Sequence, residues 1–157
     1  GNRAFEKMQR KNISTAVETC GYISSDILRE AIKYTDLFLW DIKDTDDERH
    51  KKYTGVSNKK IVENLLLADS LGAKTVMRCI IVNGVNTDRT HIEALAALWQ
   101  RLSNCRYVEL LPYHAYGGSK MLPLGKDDNG HREWIPDEKQ IEKIKNELRS
   151  YGVLLKE

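Results

Sequence analysis

The chain has 157 residues, enough for one domain that buries roughly 68–70% of the surface its unfolded form exposes. Its 25 Lys and Arg nearly balance 23 Asp and Glu, giving a net charge of +2, with basic residues dispersed among acidic ones. No basic stripe is available to follow a nucleic acid backbone. No segment reaches the roughly 18 consecutive apolar residues of a membrane span. We therefore expect neither a nucleic acid nor a membrane as partner.

Three cysteines, Cys20, Cys79 and Cys105, lie 59 and 26 positions apart. This spacing fits neither a paired-disulfide framework nor a Cys-x-x-Cys metal site, and it favours a reducing, cytoplasmic location. The first residues contain no signal-peptide core and no initiating Met. We expect a single domain over residues 1–157 that is a piece of a longer protein.

The first half of the chain predicts two strands and three helices in the order strand, helix, strand, helix, helix. The strands are Ser14–Cys20 and Leu37–Lys43, and the helices are Asp26–Lys33, Asp47–Tyr53 and one that follows Ser57 or Asn58 and ends before Gly72.

The second predicted strand has two different faces. Successive side chains alternate across a strand, so one set of positions is wholly apolar and the other includes two charges. We expect the apolar set to face helices and the other set to face a polar pocket. The two sets are Phe38, Trp40 and Ile42, and Leu39, Asp41 and Lys43.

The second half predicts two more strands and two helices. A β-branched strand is interrupted by Arg78 and followed by an Asn-Gly turn, and the stretch before the last helix has the pattern of an exposed loop. The elements are the strand Thr75–Val82, the helix Asp88–Leu102, the strand Tyr107–Tyr113, the loop Leu124–Pro136 and a helix that opens at Asp137 and stops at Gly152.

This order predicts an α/β fold of four parallel βα units. Four strands cannot close a barrel, whose smallest familiar form needs about eight. The alternatives are an open sheet and a piece of a larger barrel. The uncovered edge of the first strand favours the piece of a barrel.

Polar residues stand near the ends of all four predicted strands. They are Glu18, Asp41 with Lys43, Arg78 and His114. In a parallel α/β barrel the C-terminal strand ends line the active site, so these positions indicate chemistry. Neighbouring strands are roughly 4.8 Å apart, and two carboxylates placed there repel unless a cation lies between them. The pattern predicts a metal ion or a ligand ammonium beside Glu18 and Asp41.

Structural alternatives stay open for some of these residues. Asp41 and Lys43 could form a salt bridge at a strand end, and His114 could have a structural role. Arg78 is harder to explain structurally, because a buried guanidinium without an anionic partner is costly. Glu109 is expected to be an ion-pair partner. The chain lacks the phosphate-binding loop, dinucleotide, serine-hydrolase and zinc-protease motifs.

Four stretches together resemble the radical S-adenosylmethionine enzymes that activate glycyl radical enzymes. They are Val17–Gly21, Leu39–Lys43 followed by Tyr53–Asn58, Met77–Asn86 and Val108–His114. The resemblance implies a partial, TIM-like (β/α)6 barrel of which this chain forms the C-terminal portion. The family's Cys-x-x-x-Cys-x-x-Cys loop, which binds a [4Fe–4S] cluster, belongs to earlier strands. The resemblance therefore assigns no iron–sulfur ligand to this chain.

The resemblance also implies roles for individual residues. Glu18, Asp41, Lys43 and His114 would bind S-adenosylmethionine, and Arg78 would be catalytic, close to the cofactor or the incoming glycine loop. A monovalent cation beside the methionine carboxylate would be surrounded by Glu18, Thr19, Asp41 and the main chain of Leu39. The best-known member, the pyruvate formate-lyase activating enzyme, has Asp where Glu18 stands.

The implied reaction is oxidoreductase chemistry of anaerobic metabolism. A reduced [4Fe–4S] cluster cleaves S-adenosylmethionine, and the 5′-deoxyadenosyl radical removes hydrogen from a glycine of a partner enzyme such as pyruvate formate-lyase. The implied electron donor is a small protein such as flavodoxin or ferredoxin, and this chain alone is expected to be inactive.

Other readings are a Schiff-base lyase with Lys43 as nucleophile, a cation-dependent barrel lyase, and a non-catalytic association module. Asp41 argues against the Schiff base, because a nearby carboxylate raises the pKa of a lysine.

Overall fold

The computed structural model describes residues 14–114 and 131–157, which form a parallel sheet covered by helices. Four strands pair in chain order, each parallel to the next. They are β1 (Ala16–Thr19), β2 (Leu37–Ile42), β3 (Thr75–Ile81) and β4 (Cys105–Pro112). The prediction of an α/β fold with four parallel βα units is confirmed.

Five helices connect or follow these strands within the described residues. They are α1 (Ser25–Ile32), α2 (Asp47–Thr54), α3 (Lys59–Ser70), α4 (Arg89–Gln100) and α5 (Glu138–Ser150). Side chains at the N-caps of α1, α2, α4 and α5 accept a hydrogen bond from a first-turn backbone N–H, as Ser and Asp favour at this position. No helix within residues 14–114 and 131–157 is long and apolar enough to cross a membrane.

The hydrophobic core lies between the sheet and the helices. Phe38, Trp40 and Ile42 of β2 are buried there, as the alternation predicts. They pack with Leu65 of α3 and Leu95 of α4. Each large apolar side chain buried in this way contributes about 1.5–3 kcal/mol. The other residues of β2 are half-buried on the opposite face, which leaves that face free to form a site.

The sheet continues beyond β4 with residues that follow α5. The Val108 N–H donates to the Leu154 carbonyl at 2.8 Å, and the Lys156 N–H donates to the Val108 carbonyl at 2.9 Å. Leu155 thereby forms a parallel bridge with Val108. This pairing was not predicted from the sequence, because it involves too few residues to show the alternation of a strand. The predicted loop Leu124–Pro136 lies outside the described residues as far as position 130, and Arg132–Trp134 form a 3-10 turn.

The turn after β1 depends on Gly21. Its φ of +72° is in the left-handed region, and a Cβ there would overlap Cζ2 of Trp40. Gly21→Ala is expected to lower the free energy of unfolding by about 2–5 kcal/mol, from left-handed strain and overpacking together. Denaturant unfolding measures the loss. Gly72→Ala is the matched control, because Gly72 has φ +82° with nothing within 4 Å. Equal losses in both variants would refute the overlap with Trp40.

Candidate active site

An ion-paired cluster of three side chains joins β1, β2 and β3. Arg78 Nε donates to Asp41 Oδ1 at 2.7 Å, and Arg78 Nη1 donates to Glu18 Oε1 at 3.1 Å. The register brings them together, because Asp41 lies opposite Arg78, and Glu18 lies opposite Leu39, two residues earlier on the same face of β2. We call Glu18, Asp41 and Arg78 the three-strand cluster.

The three-strand cluster lies at the edge of solvent. The side chain of Arg78 is 16% exposed, that of Asp41 is 25% exposed and that of Glu18 is 68% exposed. Burial alone would lower the pKa of Arg78, but its hydrogen bonds to Asp41 and Glu18 raise this pKa above its ordinary value. Arg78 therefore remains charged and supplies a positive charge to both carboxylates. Binding of a monovalent cation between these carboxylates stays a prediction.

The other candidate residues lie within or just after β1, β2 and β4. Lys43 directly follows β2 and is half-buried, and His114 is exposed two residues after β4. Leu39 lies between Glu18 and Val76 in the sheet. Thr19 lies in register with Trp40, on the helix-facing side, and its hydroxyl accepts a hydrogen bond from the Gly21 N–H at 2.9 Å. The structure therefore does not bring the Thr19 hydroxyl to the three-strand cluster, and the binding roles of these residues stay predictions.

A second charged network, which sequence analysis missed, fixes the residue after Lys43. Arg49 contacts both oxygens of Asp44, through Nε at 2.5 Å and Nη2 at 2.9 Å, and its Nη1 donates to Asp88 at 2.8 Å. These bonds raise the pKa of Arg49, with the bond to Asp44 as the main cause. Asp44 stands beside the predicted site in the sequence, but no spacing rule indicates that Arg49 joins it to Asp88.

His91 of α4 is fully buried behind this network. Its Nδ1 lies 2.7 Å from the Thr45 hydroxyl, and its Nε2 has no hydrogen-bond partner. Burial lowers the pKa of His91 to about 4. The His91 side chain is therefore neutral in the folded protein at neutral pH.

Acidification is expected to destabilise the protein through His91. In the unfolded chain His91 takes up a proton near pH 6.5, whereas in the folded chain it does so only near pH 4. The free energy of unfolding therefore falls as the pH is lowered from 6.5 to 4. The contribution of His91 to the free energy of unfolding should drop by about 2 kcal/mol from pH 7 to pH 5. Denaturant titration at both pH values measures the drop. A His91→Gln variant should lose this component of the pH dependence, and an unchanged dependence in that variant would contradict the assignment.

Aromatic side chains lie beside the ends of β3 and β4. Trp134 packs against Val82 and Tyr113, with the Tyr113 ring centroid at 5.7 Å. Tyr53 of α2 lies edge-on to Trp134 at 6.0 Å, and the His131 ring stacks on it at 4.0 Å. Sequence analysis interpreted the stretch around Trp134 as exposed loop. Only its aromatic content could have indicated this packing.

The three cysteines lie at different places in and beside the sheet. Cys79 is fully buried in the core, and burial raises the pKa of its thiol, which disfavours the thiolate that a metal needs. Cys105 begins β4, whereas Cys20 follows the end of β1. Among the described residues, no group of three or more His, Cys, Asp or Glu side chains could hold a metal ion.

Comparison with known proteins places these features in a family. The chain is 44% identical over 125 residues to the isethionate sulfite-lyase activating enzyme of Nitratidesulfovibrio vulgaris, covering 78% of this chain and 40% of that protein. It is 37% identical over 136 residues to the trans-4-hydroxy-L-proline dehydratase activating enzyme of Clostridioides difficile, covering 86% and 45%. The chain belongs to the glycyl radical enzyme activating enzymes. It thus spans less than half the length of these two relatives.

Structural comparison agrees with the fold expected of an activating enzyme. A crystallised domain of the pyruvate-formate lyase-activating enzyme from Bacteroides vulgatus superposes with a TM-score of 0.81 at 21% identity. The match covers 98% of this chain and 86% of that domain. No protein-family model matches the chain.

Proposed function

We propose that this chain forms part of a radical S-adenosylmethionine enzyme that generates a glycyl radical on a partner enzyme. The observation that carries the proposal is the three-strand cluster, in which Asp41 and Glu18 hold Arg78 at 2.7 and 3.1 Å. Both named relatives are activating enzymes of other enzymes. We further propose that residues 1–157 are one domain and that the strands that bind the [4Fe–4S] cluster lie outside it.

The chemistry of the donor set fits S-adenosylmethionine. The cofactor carries an ammonium group and a carboxylate, and this part of the chain offers carboxylates and cations side by side. A carboxylate has about four lone-pair sites, so one bond to Arg78 leaves Asp41 able to accept a hydrogen bond from an ammonium or to coordinate a monovalent cation. When bound beside a reduced [4Fe–4S] cluster, the cofactor supplies a carbon radical that removes a hydrogen atom from glycine.

In this proposal the residues of this chain bind and orient S-adenosylmethionine. Lys43 and His114 contact the cofactor, and Arg78 is held in one orientation by two anions, ready to contact the cofactor or the glycine-bearing loop. Glu18 and Asp41, with the main chain of Leu39, hold a monovalent cation, and the Thr19 hydroxyl, which faces the helices, takes no part. The aromatic side chains around Trp134 reduce access of water at the strand ends. The cysteines of this chain do not bind the iron–sulfur cluster.

The partners follow from the same proposal. The protein substrate is a glycyl radical enzyme, and the electron for the cluster comes from a small donor protein such as flavodoxin or ferredoxin. The near-zero net charge and dispersed charges of the chain give no support to a nucleic acid partner.

An anaerobic assay of the full-length, cluster-loaded protein tests the function. Reduced protein should cleave S-adenosylmethionine to 5′-deoxyadenosine and methionine, and a partner glycyl radical enzyme should then show a glycyl radical by electron paramagnetic resonance. Omitting the cofactor is the control. Absence of cleavage, combined with borohydride trapping of a carbonyl substrate on Lys43, would replace the proposal with a Schiff-base lyase.

A further inference from the structure

The loop that follows β2 is held by two buried asparagine side chains. Asn86 is fully buried, and its carboxamide nitrogen donates to the Lys43 carbonyl at 2.9 Å and to the Ile80 carbonyl at 2.8 Å. Its carboxamide oxygen accepts from the Val82 N–H at 2.7 Å. The paired register of β2 and β3 ends at Ile42, so Asn86 joins the two strands just beyond their last paired residues.

Asn58 holds the next two residues of the same loop. Its carboxamide nitrogen donates to the Asp44 carbonyl at 3.1 Å and to the Thr45 carbonyl at 2.9 Å. Three successive carbonyls, from Lys43 to Thr45, therefore accept hydrogen bonds from buried side chains. We call residues 43–45 the β2 loop, and Asn58 with Asn86 the asparagine clamp.

Asn58 makes its side-chain hydrogen bonds outside its own helix. It is the N-cap residue of α3, where asparagine ordinarily accepts a bond from the first helical turn, yet its side chain makes no capping bond. Its own backbone N–H is held by Asp47 Oδ1 at 2.9 Å. The Ser57 hydroxyl accepts from the Lys59 N–H at 3.2 Å, so the carboxamide of Asn58 is available to hold the β2 loop.

The clamp belongs to a wider pattern at this edge of the sheet. Asn64 of α3 is also buried, and its carboxamide donates to the Gly21 carbonyl at 2.7 Å and the Ile23 carbonyl at 2.9 Å. The turn after β1 is thus held in the same way as the β2 loop. Exposed loop carbonyls usually bond to water, which allows motion, whereas buried carboxamides fix the backbone.

We propose that Asn58 and Asn86 are positioning residues that place Lys43 for cofactor binding. This inference rests on the proposed function, in which Lys43 contacts S-adenosylmethionine. A backbone fixed at the Lys43 carbonyl restricts where its ammonium group can reach, so less freedom is lost when the cofactor binds. The clamp therefore acts on affinity through Lys43 and makes no contact with the cofactor itself.

Serine substitutions test the clamp in the full-length, cluster-loaded protein. Asn58 makes no capping bond and serine is well tolerated at a helix start, so Asn58→Ser should preserve α3 while removing both donors to the loop. Asn58→Ser and Asn86→Ser are each expected to weaken S-adenosylmethionine binding about 10-fold by calorimetry. Asn104→Ser is the matched control, because Asn104 donates to the Asp69 carbonyl at 3.0 Å before β4, at the opposite end of the sheet. Its affinity should be unchanged.

A double-mutant cycle with Lys43→Ala separates positioning from general destabilisation. If the clamp acts through Lys43, its serine variants should change affinity by less than about twofold once Lys43 is alanine. Full additivity of the two substitutions would overturn the proposal. If Asn86→Ser does not fold, Asn58→Ser decides the result, because it removes the bonds to the neighbouring Asp44 and Thr45 carbonyls and removes no capping bond.

Hydrogen exchange of the β2 loop gives a readout that needs no cofactor. Amides of residues 44–46 should exchange faster in Asn58→Ser and Asn86→Ser than in the unchanged protein, and at the unchanged rate in Asn104→Ser. Unchanged exchange in both clamp variants would overturn the clamp itself. Failure of the unchanged protein to bind S-adenosylmethionine would instead overturn the proposed function, so the two failures are distinguishable.

Discussion

Replacing Arg78 with alanine is expected to lower the glycyl radical yield on the order of 10- to 100-fold while the protein stays folded. A charged hydrogen bond is worth about 1.5–3 kcal/mol, which corresponds to this loss if Arg78 contacts the cofactor or the glycine loop. The effect on stability should be smaller, about 1–2 kcal/mol, because Glu18 is mostly exposed and Asp41 is at the solvent edge. Spin quantification and denaturant unfolding measure the two quantities separately.

Two further variants interpret the Arg78 result. Arg78→Lys keeps a positive charge but loses the planar fork that contacts Asp41 and Glu18 together, so its yield should lie between those of the unchanged protein and Arg78→Ala. Arg106→Ala removes an exposed arginine near the start of β4 and should have no effect. A normal radical yield from Arg78→Ala, or a loss that matches the unfolded fraction, would show that Arg78 has only a structural role.

The elements of the fold were predictable because their signals are local. The predicted boundary at Asp137 agrees with the observed capping box, in which Asp137 and Gln140 bond reciprocally. The predicted helix Asp47–Tyr53 ends one residue before the observed end of α2, which Gly55 terminates because its φ of +82° suits glycine at a helix terminus. The bridge at Leu155 was missed because it depends on pairing with β4 and on no pattern of its own.

The sequence predicts which residues belong to the site, but it does not predict which of them contact one another. Alternation along β2 places Asp41 on the face away from the helices, and the cost of an unpaired guanidinium requires an anion near Arg78. The identity of that anion depends on the register of β2 against β3, which pairs residues 37 positions apart. The sequence predicted a metal ion or a ligand ammonium beside Glu18 and Asp41 and gave Arg78 a separate role, whereas in the structure Arg78 pairs with both carboxylates.

Buried polar side chains were the least predictable part of the structure. Asn58 was interpreted only as a possible helix start, and its long-range bonds to the β2 loop follow from the packing of α3 against the sheet. His91 lies within the apolar pattern of α4, where nothing in the sequence indicates that its ring is fully buried beside Thr45. Such contacts depend on how helices and strands meet, which periodicity does not specify.

Substitution of Lys43 and Asp41 is expected to weaken cofactor binding in two different ways. Lys43→Ala deletes a direct positive contact, so S-adenosylmethionine should bind about 10- to 100-fold more weakly, the equivalent of about 1.5–3 kcal/mol. In Lys43→Ala the dependence of S-adenosylmethionine binding on sodium or potassium should persist, because Glu18 and Asp41 remain. Asp41→Asn should also weaken binding, and it should abolish the dependence on the cation, since one of the two carboxylates is gone.

The experiment is a titration of S-adenosylmethionine into full-length, cluster-loaded protein in sodium, in potassium and in a large organic cation. Glu18→Gln serves as a comparison, because Glu18 is the more exposed partner of Arg78 and its loss should have the smaller effect. Arg78 already provides a positive charge to both carboxylates, so the salt series decides whether a bound cation contributes as well. Equal affinity in all three salts, with unchanged binding by Asp41→Asn, would show that Arg78 alone balances the carboxylates and that the three-strand cluster is a structural ion pair.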